Sequence, residues 1–450
     1  MIAIGGAIGS GLFLSAGARL HNAGPSLMIA YAVGGLFAFL VVRAMGEMVM
    51  HRPTSGSFVS YSREFIGEKA AYFAGWMYFL NWACSGMGDV TAAALYSKIF
   101  WPHLPQWLPA LIALAIVLTV NLISVKFFGE LEFWFAAVKV LALIAFMVIA
   151  IYVLASRHPL DGASTGPQLI FQNGGFFPQG FFAVLFILQG VVFAYAGIEM
   201  VGVAAGETDN PRKVIPRAVN SVGWRIGIFY IGSVLLLTML LPYSVYQSGT
   251  SPFVTALEKI GIPASAQIMS VVLITAALSS VNSGLYTTGR VLRSLAFNGS
   301  APRFLSKMSR HGVPYAGVLL TGIIYLAGVY LNATLPGDAF EFTTGLSAVG
   351  IIGMWSMIMV AHWAMWRATQ RGLVERPEFR MPGAPYSNYL TVAFLLFVLV
   401  MTYWNGKTGP WIIEYGLPAI IVLLIGGWFL VRKQVAQVRN TGVAGHHPDQ

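Results

Sequence analysis

The sequence predicts an all-α polytopic membrane protein with twelve spanning helices, on three observations. Hydrophobic residues fill 57% of the 450 positions and charged residues only 10%, whereas soluble domains carry about 25% charged residues. Twelve apolar runs approach or exceed the about 20 residues that cross a bilayer as a helix. The first and sixth runs are both interrupted by glycine. That spacing of five spans suggests a duplication in which the second copy enters the membrane upside down, the inverted-repeat plan of many secondary transporters.

In chain order the runs are 1–18, 26–50, 70–100, 107–125, 131–154, 181–206, 221–242, 264–297, 315–331, 340–366, 389–403 and 411–431. They divide the chain into a first five-helix repeat (1–155), an external loop (156–180) and a second, inverted repeat (181–367). A cytoplasmic loop (368–388), two accessory helices (389–433) and a cytoplasmic tail (434–450) complete it. If the first run leads outward, 20 of the 27 lysines and arginines fall in loops on the inner side and five on the outer, with Arg43 and Lys139 inside spans. Short-loop cations mark the cytoplasmic face, so both termini are read as cytoplasmic. The net charge of +10 thus reports topology and not a nucleic-acid partner. The partner implied by the long apolar runs is the lipid bilayer.

One cysteine, Cys84, excludes a disulfide framework and a cysteine metal site. It is read as a small core residue. The longest segments between spans, 156–180 and 243–263, leave little room for soluble catalytic chemistry. His446 and His447 lie in a polar tail, which is the reading preferred to a metal site.

The first span, MIAIGGAIGSGLFLSAG, carries glycine at positions 5, 6, 9 and 11. A helix broken at mid-depth is tolerated where it is buried in protein or lines a wet cavity. The same glycines also suit close packing of two helices. Only four residues precede Gly5, about 6 Å of helix at 1.5 Å per residue, and no basic flank anchors them. The sequence is therefore expected to lack its first turns. The sixth span repeats the theme with Gly190, Gly197, Gly202 and Gly206, and with Glu199 inside the run.

Helix polarity gives the two breaks complementary chemistry. An outward first span unwound over 5–11 would present free N–H groups at the start of its second half, suited to a carboxylate. An inward sixth span broken near 193–197 would present carbonyls at the end of its first half, suited to an ammonium. Together they would hold a zwitterionic amino acid by its two ends.

The runs GGAIGSGLF, RPTSGSFVSYSREFIGEKAAYFAGWMYFLNW, FWFAAVKVLALI, GVVFAYAGIEMVGVAAGETDNPRKVIPRAVNSV and ALSSVNSGLYTTGRVLRSLAFNGSAPRF resemble the bacterial amino-acid permeases of the APC superfamily, amino-acid transporter branch. The resemblance covers nearly the whole chain. Within that branch the likeness is strongest to members that carry L-asparagine. It implies a LeuT-type fold, no cofactor, and proton-driven uptake of a neutral amino acid, L-asparagine first, across the bacterial cytoplasmic membrane. Most relatives have threonine where this chain has Ser10, which keeps the hydroxyl, and relatives carry a cytoplasmic segment before the equivalent of Met1.

The candidate substrate residues are Ile8, Gly9, Ser10 and Gly11 at the first break and Gly197 at the second. The resemblance adds Phe193, Ala194 and Tyr195 beside the substrate. Asn81 and Asp89, in the third span, and Asn282, in the eighth, would meet the substrate side chain. Asp89 suits sensing of the proton or a solvated vestibule as well, and the polar groups Ser279, Asn282, Ser283 and Tyr286 also suit bonds between helices. Trp355 and Ser356 are weaker candidates. Lys139, alone in FAAVKVLALI, either snorkels to the inner surface or exchanges a proton within the bundle. The resemblance places it in a proton-coupling role near Ser279 and Ser280. Glu199 takes a proton, helps hold the gate, or satisfies backbone N–H groups freed by the break. Glu47 is close to Arg43 at i,i+4, where a gate ion pair and a solvated inner face are both open.

Two rival classes fit less well. Gly86 to Asp89 spell GxGD, a motif of intramembrane aspartyl proteases, but such chemistry needs two carboxylates sharing a site and no matching tyrosine–aspartate pair occurs. A channel needs a continuous pore, whereas two half-helices around one site fit alternating access.

Overall fold

The computed structural model describes residues 9–54, 56–123, 125–160, 164–203 and 210–440. Every regular element among them is helical. Among the described residues eight helices are long and apolar enough to cross a membrane, and Trp107–Ile123 and Phe181–Ala194 are shorter apolar helices. Ile8, Gly5, Gly6, Gly206, His446 and His447 fall outside the described residues.

The first run supplies α1 (Ser10–Phe13) and α2 (Ser15–Ala23), joined through Leu14, whose N–H donates to Ser10 O at 2.9 Å. The helices that follow are α3 (Leu27–His51), α4 (Ser57–Phe65), α5 (Glu68–Ser97), α6 (Trp107–Ile123) and α7 (Val125–Ala155). The sixth run divides into α8 (Phe181–Phe186), α9 (Leu188–Ala194) and α10 (Met200–Val203). Then come α11 (Pro211–Arg225), α12 (Ser233–Leu240), α13 (Pro252–Ile260), α14 (Ser265–Phe297), α15 (Tyr315–Thr334) and α16 (Ala339–Gln370). The last helices are α17 (Tyr386–Met401), α18 (Thr408–Trp411) and α19 (Leu417–Asn440).

Burial sorts these helices by what surrounds them. Helix α5 is buried on nearly every face, as a helix enclosed by others must be, and packs chiefly on α16 and α14. At the edge, α7 reverses the soluble pattern. Its buried positions are Glu132, Ala136, Lys139, Leu143, Phe146, Ala150 and Val153, while Trp134, Leu141, Val148 and Tyr152 are exposed. Alternating steps of four and three residues place the first set on one stripe. The charges therefore face protein and the bulky apolar residues face outward, the arrangement lipid requires. Helix α19 is exposed along nearly its whole length, with Leu430 at 85%.

Among the boundaries that differ from the sequence expectation, three have a clear local cause. The segment 51–69, read as a loop, contains α4, where Phe58, Val59, Tyr61 and Ser62 are buried on one side. The seventh run begins ten residues early, because Pro211 occupies the first turn of α11, where its missing N–H costs nothing. The final helix continues to Asn440, past the tail boundary set at 434, because polar residues sustain a helix beyond an apolar run as readily as within it.

Candidate binding site

The start of α1 at Gly9 and the end of α9 at Ala194 meet inside the molecule. Gly9 is extended (φ −137°, ψ −160°) and precedes α1. Leu12 and Phe13 donate their N–H groups to Gly9 O at 3.1 and 3.2 Å. The N–H groups of Ser10 and Gly11 have no partner among the described residues, as the first turn of a helix dictates. On the other side, α9 ends at Ala194 and the chain tightens into turns: Tyr195 N–H bonds Val192 O and Ala196 N–H bonds Phe193 O, at 3.1 and 2.9 Å. Gly197, at φ +90°, then turns the chain into α10, a conformation that side chains with a Cβ resist. The two breaks touch: a Cβ on Gly11 would lie 2.7 Å from Ala194 Cα, so only glycine lets the backbones come this close.

A small cavity opens at this contact. Gly9, Ser10, Gly11, Phe193, Ala194, Ala196, Asn81, Trp82, Ser85, Asp89 and Ser280 line it. Ser10 Oγ–H donates to Asp89 Oδ1 at 2.5 Å and Ser85 Oγ–H to Asp89 Oδ2 at 3.4 Å. Asp89 is buried, at 1% exposure, and not in an open vestibule. Asn81 accepts from Ser347 Oγ–H at 2.8 Å, while its Nδ2 is buried and has no partner among the described residues. One end of that amide is thus committed to protein and the other is free for a ligand in the cavity it lines.

Three of the expected substrate residues lie elsewhere. Tyr195 points away, donating its hydroxyl to Tyr31 O at 2.7 Å within a ring cluster of Tyr31, Tyr195 and Tyr230. Gly197 follows the cavity-lining Ala196 but is not itself in the lining, its N–H donating to Glu199 Oε2 at 3.2 Å. Asn282 faces α6, accepting from Asn121 Nδ2 at 2.7 Å. A helical pattern places Asn282 on the polar side of α14 but does not say which neighbour that side meets. Tyr230 supplies a residue the sequence reading passed over: its hydroxyl donates to Ala194 O at 2.8 Å, satisfying a carbonyl left by the break.

Lys139 is fully buried, so it does not snorkel. Its Nζ donates to Ser279 Oγ at 2.9 Å. Ser279 lies within 2.8 and 2.9 Å of the two oxygens of Glu132, a buried acid also missed in the sequence. The missed signal was spacing, since 132 and 139 are two turns apart on one face of α7. Ser280, next in the chain, turns instead to the cavity, close to Gly9. Glu199 is buried beside the Trp355 indole, and its Oε1 has no hydrogen-bond partner among the described residues. Cys84 packs in an apolar cluster with Val281, Leu285 and Tyr325. Gly86, the first residue of GxGD, serves packing against Tyr325.

Two charged residues have other surroundings than the sequence suggested. Arg19, counted with the external loops, is buried in α2 with Nη1 donating to Gly11 O at 3.2 Å. Glu47 is fully buried and is not paired with Arg43. It accepts from His362 Nε2, Arg376 Nε and Met381 N–H at 2.9, 2.7 and 2.5 Å. Asn388 Nδ2 donates to His362 Nδ1, so the histidine proton sits on Nε2 and points at Glu47. Arg43 instead bonds Arg380 O and Asn220 Oδ1 and stacks 3.6 Å from the Phe379 ring. The loop between α16 and α17 is thereby latched onto α3.

Residues 1–440 match the amino acid permease family. The chain is 55% identical to the L-asparagine permease of Escherichia coli (strain K12) over 444 residues, 98% of this chain and 89% of that protein. Identity is also 55% to the L-asparagine permease of Streptomyces coelicolor over 439 residues, 97% of this chain and 89% of that one. It is 54% to L-asparagine permease 1 of Mycobacterium tuberculosis (strain ATCC 25618 / H37Rv), covering 97% and 90%.

Proposed function

The chain belongs to the amino acid permease family and is a transporter, not an enzyme, and from that premise we propose that it imports L-asparagine by proton symport with alternating access. The observation that carries the proposal is the cavity between the two helix breaks. The N–H groups of Ser10 and Gly11, which have no partner among the described residues, form the positive end of α1–α2, which suits the substrate carboxylate. The carbonyl end of α9 suits the ammonium, Ala194 O keeping a second lone pair beside the hydrogen bond it accepts from Tyr230. Both ends of a zwitterion are held by backbone, leaving side chains to choose among amino acids. Asn81 Nδ2 offers a donor to a side-chain amide oxygen, a group that asparagine has and alanine or valine lacks.

Twelve spans in a LeuT-type arrangement, two inverted five-helix repeats and two accessory helices, would let these breaks open alternately to each face. The membrane is the bacterial cytoplasmic membrane, with both termini inside. The proton gradient is the energy source and no cofactor takes part. Coupling falls to Lys139, fixed by Ser279, with Asp89 linking it to Ser10 at the carboxylate site. Ser280 adds a hydroxyl at the cavity wall. Glu199, which holds the Gly197 N–H with one oxygen, keeps the second for the gate.

Uptake by proteoliposomes from a panel of labelled amino acids, with and without an inward proton gradient, tests the reading. L-asparagine should accumulate above its external concentration only with the gradient. A panel in which another amino acid is accumulated and asparagine is not would refute the substrate, and accumulation indifferent to the gradient would refute proton symport.

A further inference from the structure

The buried Glu132–Ser279–Lys139 chain goes beyond the coupling role proposed for Lys139, and rests on it. Lys139 Nζ donates to Ser279 Oγ at 2.9 Å, so the hydroxyl proton of Ser279 is left to point to Glu132, whose nearer oxygen is 2.8 Å away. All three residues are about 1% exposed or less. Two carboxylates, Glu132 and Asp89, act on the Lys139 charge, and Lys139 is the cation that acts on Glu132. Among the described residues, neutral Asn282 and Ser283 of α14 also stand against Glu132. With all three charges present the cluster is net negative by one. A single unbalanced charge out of water is costly, and one added proton removes the imbalance.

Geometry gives that proton a direction. Asp89 stands on the cavity side, bonded to Ser10. Glu132 stands seven residues before Lys139, about 10 Å along the helix at 1.5 Å per residue. With α7 leading outward, Glu132 is on the cytoplasmic side. Side chains lean toward the start of their helix, so Lys139 reaches back toward Glu132.

We propose that Glu132 is the proton acceptor on the cytoplasmic side of Lys139, reached through the Ser279 hydroxyl. In the step, an N–H bond of the Lys139 ammonium breaks as its proton bonds to Ser279 Oγ. The original hydroxyl proton leaves Oγ and bonds to a Glu132 oxygen. Lys139 ends as a neutral amine, Glu132 as a neutral acid, and Ser279 is restored. No oxidant or second reactant is needed. Glu132 then releases the proton inward, and Lys139 is recharged from the Asp89 side in the next cycle.

The test uses the full chain in proteoliposomes containing a pH-sensitive dye, with proton influx and labelled L-asparagine uptake read in the same vesicles. Glu132→Gln removes the acceptor, and Ser279→Ala removes the bridge while keeping both charges. In each, protons taken up per asparagine should fall at least tenfold, while asparagine counterflow, which needs no net proton movement, should fall less than threefold. A variant that keeps the wild-type ratio overturns the relay. Loss of counterflow along with proton influx in both variants overturns it too, since that pattern assigns Glu132 a structural role. If wild-type protein takes up asparagine with no proton influx, the symport reading itself fails, a result seen before any variant is measured.

Discussion

Gly11→Ala tests the contact on which the site depends. The added Cβ would sit 2.7 Å from Ala194 Cα and 3.4 Å from Ala194 N and Cβ. The nearest of these atoms is backbone in a helix, so no side chain can swing aside. Carbon atoms rest about 3.5–4.0 Å apart, so α1 and α9 must part by roughly 0.8–1.3 Å. Forcing a methyl into a packed interior costs about 1–3 kcal/mol, and each 1.4 kcal/mol is about tenfold in an equilibrium constant. Because the strain is relieved by separating the two ends that hold the substrate, affinity for L-asparagine should fall roughly 5- to 150-fold. Titration calorimetry on detergent-solubilised protein measures the change, and a thermal melt of the same sample measures how much strain is spent on stability. Wild-type affinity within twofold, with an unchanged melting temperature, would refute the close approach of the two breaks.

Lys139→Met should abolish gradient-driven asparagine accumulation and leave counterflow, read in the proteoliposome assay; persistent accumulation would remove the lysine from coupling. Gly197→Ala places a Cβ at φ +90°, a left-handed conformation that costs about 1–2 kcal/mol, and should lower the melting temperature in detergent as well as the transport rate. Glu47→Gln replaces an acceptor of three hydrogen bonds from His362, Arg376 and Met381. Removing one partner of a buried ionic group costs about 3–5 kcal/mol, so this substitution should lower thermal stability well beyond what the exposed Glu64→Gln does. Equal melting temperatures for the two would show that the loop is not latched through Glu47.

Hydropathy made most spans legible, because any segment surrounded by lipid must satisfy its backbone within itself and show apolar side chains outward. Glycine inside an apolar run also serves close packing, and it is the recurrence of an interrupted run five spans on that points to breaks. Partners were not legible. Ser10 lies in a stretch far from the helix that carries Asn81 and Asp89, and nothing in their spacing says that Ser10 donates to Asp89 or that Asn81 leaves Nδ2 without a partner among the described residues. Glu47 illustrates the limit. Its neighbour at i,i+4 is Arg43, yet its partners are 315 to 334 positions away.

What the sequence alone determined is what depends on a residue and its near neighbours: an all-helical chain, the places where helices fail, the family, and the presence of charges inside apolar runs. Tertiary structure decided which way each polar side chain looks. It sent Tyr195 and Asn282 away from the cavity, turned Ser280 toward it and gave Ser279 to Lys139 and Glu132. Adjacent residues on a helix point about 100° apart, so neighbours in sequence serve different sites, and only the packing of α14 against α1 and α7 fixes which hydroxyl meets the cavity and which meets the buried charges.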